Sequence, residues 1–321
     1  MSEPQIILCP GQGAQAVSMG KGWFEASPEA RATFDLADRL LGNRLGAPLS
    51  ALCFEGPGER LNQTDVSQPA IFVASIACWR ALLAKAGATA NDVPLAATAG
   101  LSLGEYTALV VAGAITFEDG LELVTLRGRA MQDAADSPEA RAGGGGAMLA
   151  LIGATDDQAG TIADQARGSE VLVCANYNAP GQVVLSGHRN ACDRAAKVAE
   201  SMSLRSAALP VAGAFHSPLM AQAAARLGEA LARTPFRAPR CPVISNVTAL
   251  PHREESGKAI SDTIRARLVE QLTSPVRWAQ SCAYLAGAVK ADYQELAPGK
   301  TLMGLMRRID KSIKVNTNDT P

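Results

Sequence analysis

Pro94–Gly113 reads PLAATAGLSLGEYTALVVAG, and the fold turns on how this stretch is read. Its centre, Gly100-Leu101-Ser102-Leu103-Gly104, fits G-x-S-x-G, a serine presented on a sharp strand-to-helix turn. The apolar run Leu95–Ala99 before it has the length and composition of a buried parallel strand. After it, Tyr106, Leu109, Val110 and Gly113 recur at helical spacing. The requirement for glycine is steric. The serine sits on a strained turn, and β-carbons two positions to either side would collide. The backbone N–H of Leu103, opening the following helix, is expected to face the place where an oxyanion forms. A plain tight turn is the competing reading, since a chain with 29 glycines produces the pattern by chance. The flanking strand and helix weigh against it.

A chain of 321 residues suffices for one large domain or two ordinary ones. It is 47% hydrophobic and 19% charged, a globular composition. The formal net charge of -1 provides no global field for nucleic acid or an anionic membrane. No apolar run approaches the length of a membrane span. The opening MSEPQIILCPG lacks the basic and long apolar regions of a secretory signal. The cysteines (Cys9, Cys53, Cys78, Cys174, Cys192, Cys241 and Cys282) form no C-x-x-C pair and read as reduced thiols of a cytoplasmic protein. His188, His216 and His252 form no ligand cluster, so no metal is expected.

Outward from the elbow, the pattern is α/β. Gln5–Cys9 is a short strand running into Pro10-Gly11-Gln12-Gly13-Ala14-Gln15. Neither this loop nor Gly299-Lys300-Thr301 has Walker spacing, so both are rejected as nucleotide sites. Helices are expected over Ser27–Leu41 and Pro69–Ala86, the latter with Asp65 or Ser67 as cap. In the helix Thr116–Ala135, Gly120, Val124, Arg127 and Met131 share one face, which puts Arg127 on the apolar side. A buried arginine needs a partner: a structural carboxylate such as Glu105, or an anionic ligand. Ser137–Gly146 reads as a flexible hinge. Beyond it come a strand Ala147–Ile152, a helix Thr155–Ala166, a hairpin of Val171–Asn176 and Gln182–Ser186, a helix Arg189–Ser201 and a strand Leu204–Pro210. That order, βαββαβ, is the ferredoxin-like unit, here inserted into a larger domain.

The larger domain resumes with Ala214-Phe215-His216-Ser217-Pro218. Ser217 can cap a helix continuing over Leu219–Arg233, which places His216 just before a helix N-terminus. The dipole there disfavours imidazolium and keeps the ring neutral. His188 and His252 read as structural. A strand Pro242–Val247, helices Ser261–Leu272 and Trp278–Ala288, a strand Asp292–Leu296 and a helix Leu302–Ile313 come next, and the polar tail after Val315 is expected to fray.

Six motifs, PGQGAQ at 10–15, GLSLGEY at 100–106, LRGRAMQ at 126–132, NAPGQVVLSG at 178–187, AFHS at 214–217 and QLTSPVRW at 271–278, resemble in order and content the malonyl-CoA:acyl carrier protein transacylases of fatty acid synthesis. They also resemble the acyltransferase domains of polyketide synthases. The resemblance implies a hydrolase-like core over residues 1–142 and 209–321, with a mostly parallel sheet, and a ferredoxin-like insert over 143–208. It implies Ser102 as acylated nucleophile, His216 as its base and later its acid, and the backbone N–H groups of Gln12 and Leu103 as oxyanion hole. Arg127 would hold the malonyl carboxylate by a two-point contact. A backbone carbonyl near Gln271 would orient the imidazole without a third carboxylate, and Gln271, Leu101 and Asn176 would belong to the substrate site. Many family members have histidine where this chain has Leu101, which bears on pocket polarity.

The expected reaction is ping-pong transfer of a malonyl group from coenzyme A to the phosphopantetheine thiol of acyl carrier protein. No cofactor is expected beyond these substrate and partner groups, nor any nucleic-acid or membrane partner, and the protein is expected to act as a monomer. The rivals are a thioesterase or esterase using the same elbow, a non-catalytic carrier-binding module, and a trans-acting polyketide acyltransferase with the same chemistry. Arg127 on an inner face favours a dicarboxylate-derived acyl group over a plain fatty one.

Overall fold

The computed structural model describes residues 3–255 and 257–321. Its strands are β1 (Gln5–Cys9), β2 (Leu95–Gly100), β3 (Gly146–Ile152), β4 (Leu172–Ala179), β5 (Gln182–His188), β6 (Arg205–Ala208), β7 (Val243–Ile244), β8 (Asp292–Leu296) and β9 (Val315–Asn318). Five of them form one sheet in the order β7-β2-β1-β8-β9, with every pairing parallel. β1 is buried along its whole length, as a central parallel strand covered by helices on both faces must be. The other four form an antiparallel sheet, β4-β5-β3-β6. In the unit's own numbering this is 2-3-1-4, the ferredoxin-like order. The helices Asp156–Arg167 and Arg189–Ser201 share a core with this sheet, built on Leu151, Ile162, Leu185 and Ala195. The chain is thus α/β, with a hydrolase-like parallel sheet and a small antiparallel one.

A loop of the larger unit pairs with β4 of the insert. The Val276 N–H donates to the Ala175 carbonyl at 2.8 Å, and the Tyr177 N–H to the Val276 carbonyl at 2.9 Å. Val276 therefore forms an isolated parallel bridge to Asn176 of β4.

Several expectations need correction. The glycine-rich Ser137–Gly146 is no hinge: Pro138–Ala142 is a helix, and Ser137 Oγ accepts the Ala140 N–H at 3.2 Å. Gly143 and Gly146 serve close approach, since a β-carbon on Gly146 would lie 2.6 Å from the Ala214 nitrogen and one on Gly143 2.4 Å from the His188 β-carbon, while Gly144 and Gly145 have positive φ, 82° and 95°. The tail after Val315 does not fray but forms β9 on the sheet edge, where the Asn318 carbonyl accepts the Trp23 indole N–H at 2.9 Å. The helix expected from Pro69 runs over Thr64–Lys85, with Pro69 inside it and no side-chain cap; Asp65 instead pairs with Arg60 at 2.6 Å. This helix is long and apolar enough to cross a membrane, contrary to expectation. Its apolar surface runs all round because protein encloses it, with Phe72 stacked on Phe117 at 5.6 Å. The last helix stops at Ile309, and only Val243–Ile244 of the strand expected over Pro242–Val247 forms. The short helices Lys21–Ala26, Leu49–Phe54 and Gly58–Leu61 lack a long apolar period and are not legible in the pattern.

Candidate active site

β2 ends at Gly100 and the helix Gly104–Val111 begins three residues after Leu101, so Ser102 occupies the turn with φ of 52°. That is the left-handed region, which a β-carbon makes strained. A β-carbon on Gly100 would lie 1.9 Å from the Gly104 carbonyl carbon, and one on Gly104 would lie 2.1 Å from the Cys9 carbonyl oxygen. Both obstacles are backbone, so both glycines are obligatory for this turn.

His216 Nε2 stands 2.8 Å from Ser102 Oγ. Its Nδ1 lies 2.8 Å from the Gln271 carbonyl oxygen. A carbonyl can only accept, so Nδ1 carries the proton and Nε2 is free to accept the serine proton. His216 also has a positive φ, 58°, so both partners are held in strained backbone by their surroundings. The ring is neutral as expected, but chiefly for another reason. Burial, and then the Arg127 charge, push its pKa down to about 4, against the opposing bond to Gln271. No long helix starts directly after His216: the single turn Pro218–Met220, capped by Ser217, precedes the helix Ala221–Arg233.

Arg127 projects from the helix Phe117–Ala135, whose N-cap Thr116 accepts the Asp119 N–H at 3.0 Å. Gly120 on the same face lets this helix pack closely on Phe72, whose ring would stand 2.7 Å from a β-carbon there. Arg127 is 1% exposed. Nη1 donates to Gln68 Oε1 at 2.8 Å; Nη2 donates to Gln271 Oε1 at 2.9 Å and to Ser102 Oγ at 3.0 Å. Among the described residues these acceptors are all uncharged, and Nε has none. Burial lowers the Arg127 pKa from its ordinary value, with Tyr106 and Glu105 opposing. Glu105 acts on Arg127 through its charge, but among the described residues the two form no ion pair. The carboxylate turns instead to His252 Nε2, at 2.8 Å, with both side chains fully buried. Neither His252 nor His188 bonds to Ser102 or Arg127 among the described residues; His188 accepts the Val171 N–H at Nδ1, at 3.1 Å.

A half-buried nucleophile, a neutral base and a buried cation whose direct hydrogen-bond acceptors are all uncharged, joined in one network, suit acyl transfer from a substrate with an anionic acyl group. Comparison with known proteins agrees. The sequence profile of the acyl transferase domain matches residues 6–312. The chain belongs to the acyl transferase domain family. This acyl transferase is 39% identical over 316 residues to the malonyl CoA-acyl carrier protein transacylase of Escherichia coli K12, covering 98% of this chain and 96% of that one. The crystal structure of the malonyl-CoA:acyl carrier protein transacylase of Xanthomonas oryzae pv. oryzae superposes with a TM-score of 0.89 at 39% identity, covering 100% of this chain and 96% of that one. A type II polyketide synthase acyl carrier protein in complex with its malonyl-transacylase gives 0.89 at 33% identity, covering 99% and 96%.

The loop carrying Gln12 lies against the elbow, for a β-carbon on Gly11 would sit 2.2 Å from the Leu101 carbonyl oxygen. Gln12 Nε2 donates to Thr64 Oγ1 at 3.3 Å. The backbone N–H groups of Gln12 and Leu103 have no acceptor among the described residues. Leu101 is partly buried against the cluster containing Ile244, Trp278 and Met306. Asn176 is buried in β4 opposite Val276, and among the described residues it makes no bond to Ser102, His216 or Arg127. Sequence reasoning missed two residues. Asn246 Oδ1 accepts the Ser102 N–H at 2.6 Å while its Nδ2 donates to the Gly100 carbonyl at 2.7 Å. Gln68, one position before the expected helix start, holds Arg127. Neither stands in a motif with chemical meaning; a buried amide is recognisable only once its neighbours are known.

Proposed function

We infer that this protein transfers a malonyl group from coenzyme A to the phosphopantetheine thiol of acyl carrier protein through a malonyl-serine. The observation that carries the reading is Arg127, a buried cation with only neutral partners, 3.0 Å from the nucleophile. His216 Nε2 takes the Ser102 proton as Oγ attacks the thioester carbonyl. The N–H groups of Gln12 and Leu103 receive the oxyanion, and Arg127 pairs with the malonyl carboxylate. Collapse expels the coenzyme A thiolate, which takes the proton back from His216. The carrier thiol then gives its proton to His216 and attacks the malonyl-serine, and Ser102 leaves with that proton. No step calls for a cofactor. Leu101, Gln271 and Asn176 are assigned to the walls of the acyl site, with Gln271 also steering Arg127 and His216. We take residues 143–208 as the inserted unit and 1–142 with 209–321 as the catalytic one.

The relatives support malonyl-CoA and acyl carrier protein as partners, and we assign the protein to the cytoplasm as a monomer. Six of the seven free cysteines are buried, and burial raises the pKa of each, which suits thiols that stay reduced. Intact-mass measurement after mixing with malonyl-, methylmalonyl- and acetyl-CoA tests the reading. The expected result is a malonyl increment that maps to Ser102 and disappears when acyl carrier protein is added. Release as free malonate would instead identify a hydrolase, and no increment at all would leave a non-catalytic module.

A further inference from the structure

Glu105 stands in the first turn of the elbow helix, 0% exposed, and no step of the transfer uses it. Its carboxylate is nevertheless where the active-site loops converge. Oε1 accepts from His252 Nε2 at 2.8 Å. Oε2 accepts from Gln271 Nε2 at 2.7 Å and from the Asn246 N–H at 3.1 Å. Asn246 clamps the elbow from both sides, through the Ser102 N–H and the Gly100 carbonyl. Gln271 holds Arg127 through Oε1, the Ser102 carbonyl through Nε2 at 3.0 Å, and His216 through its own carbonyl.

We propose that Glu105 is a positioning residue that sets malonyl selectivity by fixing which way the Gln271 amide faces. A side-chain amide has a donor end and an acceptor end of nearly the same shape, so only its neighbours decide its orientation. A carboxylate has no donor. Together with the Ser102 carbonyl, the other acceptor on Gln271 Nε2, it holds that end toward itself and leaves Oε1 for Arg127. With glutamine at 105, the N–H₂ group faces either the Gln271 and Asn246 donors or His252 Nε2, which can accept only if His252 moves its proton to Nδ1. In the first arrangement, turning Gln271 over removes its own clash with the new amide but sets its N–H₂ against the guanidinium, which then loses its aim at the acyl carboxylate. Orienting groups of this kind lie outside the reacting atoms and yet decide their geometry. The inference rests on the malonyl-transfer reading above.

The test is Glu105→Gln, with rates of self-acylation by malonyl-CoA and acetyl-CoA measured on the same sample. The ratio of the two kcat/KM values is independent of the folded fraction. The malonyl value should fall about ten- to a hundredfold, the scale of such outer partners. The acetyl value, which does not need Arg127, should fall less, so the ratio moves toward acetyl. Should Glu105→Gln yield no folded protein, Glu105→Asp keeps the charge and both acceptors but draws them back by one methylene; the same direction of change is expected, smaller in size. A wild-type ratio in the folded variant overturns the proposal, whatever happens to the absolute rates, because a merely structural glutamate would reduce both substrates together. Wild-type protein that takes no malonyl group on Ser102 overturns the transfer reading and this proposal with it, whereas an acylated wild type with an unmoved ratio overturns this proposal alone.

Discussion

Arg127 Nη2 donates to Ser102 Oγ across 3.0 Å, so the cation rests on the nucleophile itself. The same hydroxyl faces His216 Nε2 at 2.8 Å. The serine oxygen is thus bracketed by a proton acceptor and a positive charge, and an arriving acyl carboxylate must draw the guanidinium to itself.

Arg127→Ala should shift selectivity. Losing one member of a desolvated charge pair costs about 3–5 kcal/mol. That corresponds to roughly two to three and a half orders of magnitude in kcat/KM for malonyl-CoA. Acetyl-CoA brings no carboxylate to strand, so its acylation should hold or improve. The ratio of the two kcat/KM values in folded protein is the measurement. An unchanged ratio would remove Arg127 from the acyl site.

The pH dependence comes from His216. Its folded pKa, about 4, lies below the ordinary imidazole value. The base form therefore persists in acid, and kcat/KM for acylation, which reports the free enzyme, should keep its acid limb near that pH and not near about 6.5. Stability changes in the same direction. Below the unfolded pKa the unfolded chain binds a proton that the folded ring refuses, so this contribution to stability falls as pH drops from about 6.5 and levels off below the folded pKa. Because the Arg127 charge is the second cause of the depression, Arg127→Ala should move the acid limb upward with acetyl-CoA as substrate. A limb at the same pH in both proteins would assign the depression to burial alone.

Leu101→His should be mild. Leu101 packs against the apolar cluster beside the elbow and carries no step of the reaction. Malonyl transfer should stay within about tenfold, under roughly 1.4 kcal/mol. Steady-state transfer to acyl carrier protein measures this, and abolished activity would mean that the leucine shapes the acyl site in a way the histidine cannot reproduce.

Gly104→Ala should be severe and structural. Its methyl group would meet the Cys9 carbonyl oxygen at 2.1 Å, and neither backbone can yield without moving β1 against the elbow. Overpacking of this kind costs about 1–3 kcal/mol or more. Thermal unfolding should show a lowered Tm, and acylation should drop for malonyl and acetyl alike. A variant with unchanged Tm would mean that the turn has room the geometry denies.

The elbow, the β1 and β2 strands, the capped helix that carries Arg127 and the βαββαβ order of the insert could all be read from the sequence, because each depends on neighbours within a few residues. Glycines that bracket a serine, alternation and helical period, and a threonine before a helix are local facts with local physical causes. The motifs carried the family and, with it, Ser102, His216 and Arg127. Only the tertiary structure decided what surrounds them. Asn246 meets the Ser102 amide across 144 positions of chain, and His252 meets Glu105 across 147. Glu105, readable as a partner for Arg127 because both are charged and both buried, turns away to Gln271 and His252, since packing and not composition sets which donors reach a carboxylate. The glycines of 143–146 looked flexible, yet Gly143 is pressed against His188 and Gly146 against Ala214, and the polar tail looked loose and closes the sheet edge. A residue type states which bonds are open to it. Which of them form is settled by the chain segments that the parallel sheet brings together, and that choice is non-local.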